Sequence, residues 1–150
     1  MKIKYLIALY IFLAFASGIF AQTMSPAVAE YGKKANGSFK LQNNTLQPVA
    51  VVIEPFSFSV DKDGQHFRKL DATVHLDLSQ TSARLGPKEI HEFSYKVKCD
   101  VLPCTFSLLT GMIIGHTQDG LAVRVILPHV VYICEKQKDC RAGVLRAAGL

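Results

Sequence analysis

From Leu70 to Ser79 the chain alternates without a break: Leu70, Ala72, Val74, Leu76 and Leu78 fall on one side, and Asp71, Thr73, His75, Asp77 and Ser79 on the other. A period of two sends successive side chains to opposite faces of a strand, whereas a helix would scatter the same apolar residues around its axis. Such a segment has to bury one face against a second layer. The same signature recurs at Gly37 to Gln42, Pro48 to Val60, Ile90 to Lys98, Thr105 to Ile114 and Leu121 to Ile133, with Phe93, Tyr95 and Val97 sharing one face of the third of these. Ser25 to Tyr31 offers a further candidate strand.

Turn chemistry separates these runs: Asn43-Asn44-Thr45 with Pro48, Asp61-Lys62-Asp63-Gly64, Gly86-Pro87, Leu102-Pro103 and Asp119-Gly120. Gly, Pro, Asn and Asp set the backbone for reversals. Short strands with frequent turns and no amphipathic helix predict an all-β fold, an immunoglobulin-like antiparallel β-sandwich of about seven strands. It spans residues 22–134. The Cys-Trp-Cys core of antibody domains is missing, since the chain has no Trp. Residues 135–150 are expected to form a C-terminal tail, either loose or ending in a short helix.

The amino terminus reads as an address. Lys2 and Lys4 precede Tyr5 to Phe20, a stretch of 16 residues without a charge. That is shorter than the roughly 20 residues a membrane-spanning helix needs, and Phe20-Ala21-Gln22 offers a small residue for cleavage. Residues 1–21 are expected to be a signal peptide cut after Ala21; the competing reading is an uncleaved anchor. The mature chain is then periplasmic or secreted, with no stable membrane span. Of 17 Lys and Arg, removal of those two lysines leaves 15 against 12 acidic residues, a net charge of +3 in place of +5. The surplus is scattered and not interleaved with aromatics, which argues against nucleic acid as a partner.

Cys99 and Cys104 flank one turn-like stretch, and Cys134 and Cys140 another. Export permits disulfides, and of the three connectivities open to four cysteines the local one is favoured. A four-thiolate zinc site is the alternative, although such sites space their ligands more tightly.

Catalytic chemistry is hard to find. No nucleophile elbow, Gly-rich phosphate loop or carboxylate pair stands out. The chain is therefore read as a non-enzyme with no cofactor and no assigned metal. His75 and Asp77, two apart on one strand face, with His91-Glu92 and His129 as possible partners, are the residues a small metal or ligand binder would use.

An exported sandwich without catalytic motifs can still bind. A strand at a sheet edge carries unpaired backbone donors and acceptors, so an extended peptide can add to it. The candidate is Leu121 to Ile133, with Leu121, Val123, Val125 and Leu127 toward the core and Ala122, Arg124, Ile126, Val130 and Tyr132 on the other face as partner-binding residues. In the competing reading both faces are simply covered by the second sheet and the tail.

The order of features over residues 24–134 resembles the amino-terminal domain of PapD-like periplasmic pilus-assembly chaperones. The segment GSFKLQNNTLQPVAVVIEPFSF, with Asn43-Asn44-Thr45 and Pro48, resembles that family's turn between its second and third strands. Leu85-Gly86-Pro87 is similar to the turn before its fifth, and Arg124 with Leu127-Pro128 to the ending of its last strand. The resemblance implies an immunoglobulin-like sandwich that binds a protein partner, such as a pilin-like or envelope subunit, by strand pairing in a chaperone-like role. Two features depart from the family. Its members carry a second sandwich domain, whereas this sequence stops at Leu150. Its carboxylate-anchoring Arg and Lys are not matched, since only Lys33, Lys34 and Lys40 supply positive charge between Thr23 and Leu46, and Pro128 stands nearest the expected lysine. The alternative is an exported structural or adhesion module without chaperone activity.

Overall fold

The computed structural model describes residues 22–116, 122–136 and 140–147. The expected signal peptide, residues 1–21, lies outside them, as do Leu121 and the Asp119-Gly120 turn. Among the described residues the elements are β1 (Thr23–Ser25), β2 (Val28–Gly32), β3 (Lys34–Gln42), β4 (Val49–Asp61), β5 (Gly64–Lys69), β6 (Val74–Leu78), β7 (Ser82–Leu85), β8 (Ile90–Cys99), β9 (Cys104–His116), β10 (Ala122–Cys134) and one helix, α1 (Cys140–Ala147).

Two sheets face each other. The first has the order β1-β3-β8-β6, and the second runs β2-β10-β9-β4-β5, with β7 also on β4. This is the immunoglobulin-like sandwich, with ten strands in place of about seven. The added strands have physical reasons. β5 (GQHFRK) is exposed from Gln65 onward and β7 is four residues long, so neither shows an apolar period. The Ser25 to Tyr31 run splits in two, because the chain leaves the first sheet at Pro26-Ala27 and joins the second. There β2 pairs with β10 in parallel, Val130 opposite Val28 and Cys134 opposite Gly32. The other strand pairs are antiparallel.

The alternation from Leu70 to Ser79 overstates the sixth strand. Only Val74–Leu78 enters the ladder. Leu70 still packs on the core, but the Ser57 hydroxyl accepts the Asp71 N–H at 2.9 Å and the Asp71 carbonyl accepts the Val74 N–H at 3.0 Å, which bends this stretch into a turn.

The core lies between the sheets. Phe39, Leu41, Phe93 and Val97 come from the first; Val51, Ile53, Phe106, Leu108, Met112, Val131 and Ile133 come from the second. Phe39 and Phe93, opposite each other in the β3–β8 ladder, stack at 5.4 Å between centroids. Two turns that are distant in sequence are tied at one end of the sandwich by Asn43, which is fully buried. Its amide nitrogen donates to the carbonyls of Gln47 and Gly86, both at 2.8 Å, and its Oδ1 accepts from the Thr45 N–H and hydroxyl. The Asn43 and Gly86 turns thus meet in space.

At the opposite end stand the disulfides. Cys99–Cys104 joins the end of β8 to the start of β9, and so links the two sheets, while Cys134–Cys140 joins the end of β10 to α1. The tail is therefore held to the sandwich. Helix α1 covers part of the outer face of the second sheet, where Phe58, Tyr132 and Cys140 form a small second core with Val144 packed against it. Its first backbone N–H groups lack helical partners, and that of Arg141 donates to the Glu30 carboxylate on β2 at 3.1 Å.

Candidate functional site

Strand β10 divides into two halves along the side that faces away from β9. Below, Val130–Cys134 is zipped to β2, beginning with the Val130 N–H donating to the Ala27 carbonyl at 2.8 Å and closing with the Lys33 N–H on the Cys134 carbonyl at 2.9 Å. Above, no strand among the described residues pairs with that side of Ala122–Pro128.

The direction of the backbone groups follows from the lower half. In an antiparallel pair the N–H and C=O of one residue point to the same side and alternate along the strand. Since Val130 points its N–H at β2, Arg124, Ile126 and Pro128 direct their backbone groups to the same, open side, and Val125, Leu127 and His129 direct theirs to β9. Pro128 has no N–H, so the open side carries donors at Arg124 and Ile126 and none at Pro128. A register shift between Ala122 and Val123 bends the strand above this stretch. The open edge is thus a short segment bounded by a bulge and a proline.

From Arg124 onward side chains alternate as the sequence predicts, but Val123, expected to face the core, is 52% exposed beside the register shift. Val125 and Leu127 pack on the core from the inner face, together with buried His129, Val131 and Ile133. On the outer face Arg124 is exposed and Ile126 is half exposed, at 50%. Val52 and Ile113 flank them as further exposed apolar residues of the same face. Arg124 crosses the neighbouring strand to Glu54, Nη2 to Oε2 at 3.2 Å. It can do so because Gly111 lies beneath the guanidinium, where a Cβ would come within 3.0 Å of Nε and Nη2.

Of the five residues expected to meet a partner, the structure brings Arg124 and Ile126 to the open half, with Ala122 at its upper end. It withholds the other two. Val130 is half-buried and paired with β2, and Tyr132 is 4% exposed, edge-on to Phe58 and covered by the disulfide-held helix. On this lower half the competing reading of the sequence is met: the tail covers the outer face, and β2 closes the edge as well.

His75, Asp77 and His91 do not converge. His75 is on the outer face of β6, its Nε2 2.8 Å from Asp100 Oδ2, whereas His91 lies half-buried beside Phe93 with its Nε2 2.7 Å from the Gln80 amide. Among the described residues, no group of three or more His, Cys, Asp or Glu side chains is placed to hold a metal ion. No described helix is long and apolar enough to cross a membrane.

His129, a possible metal partner in the sequence reading, lies in the interior. Its ring is fully buried between Phe39, stacked at 4.9 Å, and Tyr95. Nδ1 lies 2.7 Å from the Pro26 carbonyl, which can only accept, so Nδ1 carries the proton and Nε2 accepts from the Tyr95 hydroxyl at 2.8 Å. The Tyr95 and Tyr31 hydroxyl oxygens lie 3.3 Å apart. Gly37 makes the space, for a Cβ there would collide with both tyrosines. Burial holds the His129 pKa below its ordinary value, against the opposing hydrogen bond to Pro26, and burial followed by the Tyr31 hydrogen bond drives that of Tyr95 up. The ring is therefore neutral near pH 7.

No sequence family matches the chain, and no curated protein does either. Solved structures match its fold. One is from the complex of the SafA pilin with the SafB chaperone of Salmonella enterica (TM-score 0.57, 10% identity, 79% of this chain and 56% of that one). Another is from the CsuC-CsuE chaperone-tip adhesion subunit pre-assembly complex of Acinetobacter baumannii (TM-score 0.51, 15% identity, 81% and 64%). A third is SSP-19, an MSP-domain-like protein of Caenorhabditis elegans (TM-score 0.52, 8% identity, 75% and 98%). The chain thus spans little more than half of the first of these and nearly all of the third. Its fold is that of the PapD-like chaperone domains, as the resemblance in sequence implies.

Proposed function

We propose that this chain is an exported, non-enzymatic PapD-like module that captures an extended segment of a partner protein, adding it as a strand to the open half of β10. The observation that carries the reading is that the fold already extends β10 once, by adding β2 to its lower half, and leaves the upper half with donors at Arg124 and Ile126 and, among the described residues, no strand beside them. Main-chain hydrogen bonds of this kind supply affinity, and side chains alternating along the guest supply selectivity. Exposed Ile126, Val52 and Ile113 favour apolar side chains on the guest's outer face. A pilin-like or envelope subunit in the periplasm, met after cleavage of residues 1–21, is the partner class we assign, in a chaperone-like role. Likeness to chaperones whose structures include pilin or tip adhesin subunits supports this assignment.

A second reading, an exported structural module, is favoured by the match to SSP-19, which this chain covers almost end to end. One experiment separates the two. Ile126→Pro removes a donor from the open side alone, and Ile126→Lys places a charge on an exposed outer position; both should abolish partner capture from an envelope extract and leave the circular dichroism spectrum unchanged. Val125→Lys buries a charge and should unfold the domain. Captured partners that survive both Ile126 substitutions would remove the edge from consideration and leave the structural module standing.

A further inference from the structure

The element that covers the lower half of β10 is weakly held. β2 has five residues and pairs with β10 alone, and the chain leaves it upward through the Pro26-Ala27 crossing. Strands β3, β8, β9 and β4 each have partners on both sides. Like β1, β5, β6 and β7, β2 is paired on one side only, so it can open locally while the strands paired on both sides stay closed.

His129 sits at the top of this zipper. It is next to Val130, where the β2 ladder starts, and its two nitrogens connect Pro26, at the entry to β2, with Tyr95 and through it Tyr31, on β2 itself. The surroundings of the ring are these: from β8 the Tyr95 phenol, from β2 the Tyr31 phenol, from β3 the Phe39 ring, from β9 the opposing Leu108, and from the crossing the Pro26 carbonyl. None of these is a carboxylate. Glu30, the one acidic residue of β2, accepts from the Arg141 N–H of α1 instead.

A proton taken up at Nε2 turns that atom from acceptor into donor. Tyr95 must then turn its hydroxyl hydrogen away from Nε2, toward the Tyr31 oxygen 3.3 Å away. A positive ring is left buried without a counter-charge, which is costly until water reaches it. Departure of β2 admits that water at the lowest structural cost.

We propose that His129 is an acid-operated latch: while its ring is neutral β2 stays zipped to β10, and when the ring is protonated β2 leaves and the open edge of β10 lengthens from its upper half down to Cys134. The ligand class is unchanged, an extended protein segment, but the register available to it grows at low pH. This consequence rests on the open edge being the capture site; the latch itself does not.

The test needs no partner. Amide hydrogen exchange on the purified protein, corrected for the intrinsic pH dependence, is followed from pH 7.5 to about pH 5, with the His129 ring protons read by NMR in parallel. Protection of the Val130 and Lys33 amides should fall about tenfold or more, as expected for a local opening, while the β3–β8 ladder keeps its protection. The midpoint should coincide with the His129 titration, and His129→Phe should abolish the pH dependence. The proposal is overturned if the β2–β10 amides stay protected while His129 titrates, if protection is lost across both sheets at once, or if the drop persists in the variant. Should the variant fail to fold, the coincidence of midpoints in the unaltered protein decides alone. Loss of capture in the Ile126 variants is a separate measurement, so the latch and the capture reading fail independently.

Discussion

The two halves of β10 share a strand and an alternating pattern, yet one is covered on its free side and its outer face while the other, among the described residues, is open on both. Below Pro128, β2 occupies the backbone edge, and α1 with its disulfide covers Tyr132. Above it, Arg124 and Ile126 meet solvent, and the only cross-strand tie of the outer face described there is Arg124 to Glu54. An exposed strand edge is a liability that proteins usually blunt. Here the blunting is applied to one half, with a proline at the border, which is the arrangement expected if the other half has a partner.

The contrast can be broken most directly at Tyr132. Tyr132→Ala removes a buried ring from the cluster with Phe58 and Cys140, and should cost about 3 to 5 kcal/mol in denaturant unfolding. Ile126→Ala on the open half should stay within roughly 0.5 kcal/mol. Equal losses would mean that the two halves are packed alike.

Next in size is Asn43, which holds the turns at the end of the sandwich beside the open half. Asn43→Ala leaves the part-buried carbonyls of Gln47 and Gly86 without their donor and should cost about 1 to 3 kcal/mol. Exchange should quicken first in those turns and leave the β2–β10 zipper protected, which would sharpen the division between the ends.

Joint replacement of Cys134 and Cys140 by Ser opens a small loop and should lower stability by about 2 kcal/mol or less. Limited proteolysis should then cut within α1 before it cuts β10. If α1 stays resistant, its packing on Phe58 and Tyr132 holds it without the bridge.

The smallest effect per step is that of pH. His129 has a folded pKa below its unfolded value, so the unfolded chain binds the proton more readily, and its contribution to stability is complete above about pH 6.5. It is lost as the pH falls from there through the folded value, at no more than about 1.4 kcal/mol per pH unit. Urea unfolding at a series of pH values should show this slope in the unaltered protein, and His129→Phe should flatten it.

Much of the fold was legible in residues that act locally. Period two assigned Phe93, Tyr95 and Val97, and likewise Val125 and Leu127, to the inner face, because side-chain alternation is a property of the single strand. The Asn43 and Gly86 turns were visible because turn chemistry is local as well, although nothing in the sequence said that they touch. The pairing of β2 with β10, the cover over Tyr132 and the burial of His129 were decided by the tertiary structure alone. The first and last join residues about a hundred positions apart, the last in space left by Gly37, and the cover brings Phe58 together with Tyr132 and α1; no local pattern encodes which distant segment completes a ladder or a cluster. The sequence by itself determined which side of the long alternating strands faces the core; only the closing of the two sheets decided which part of β10 was left open.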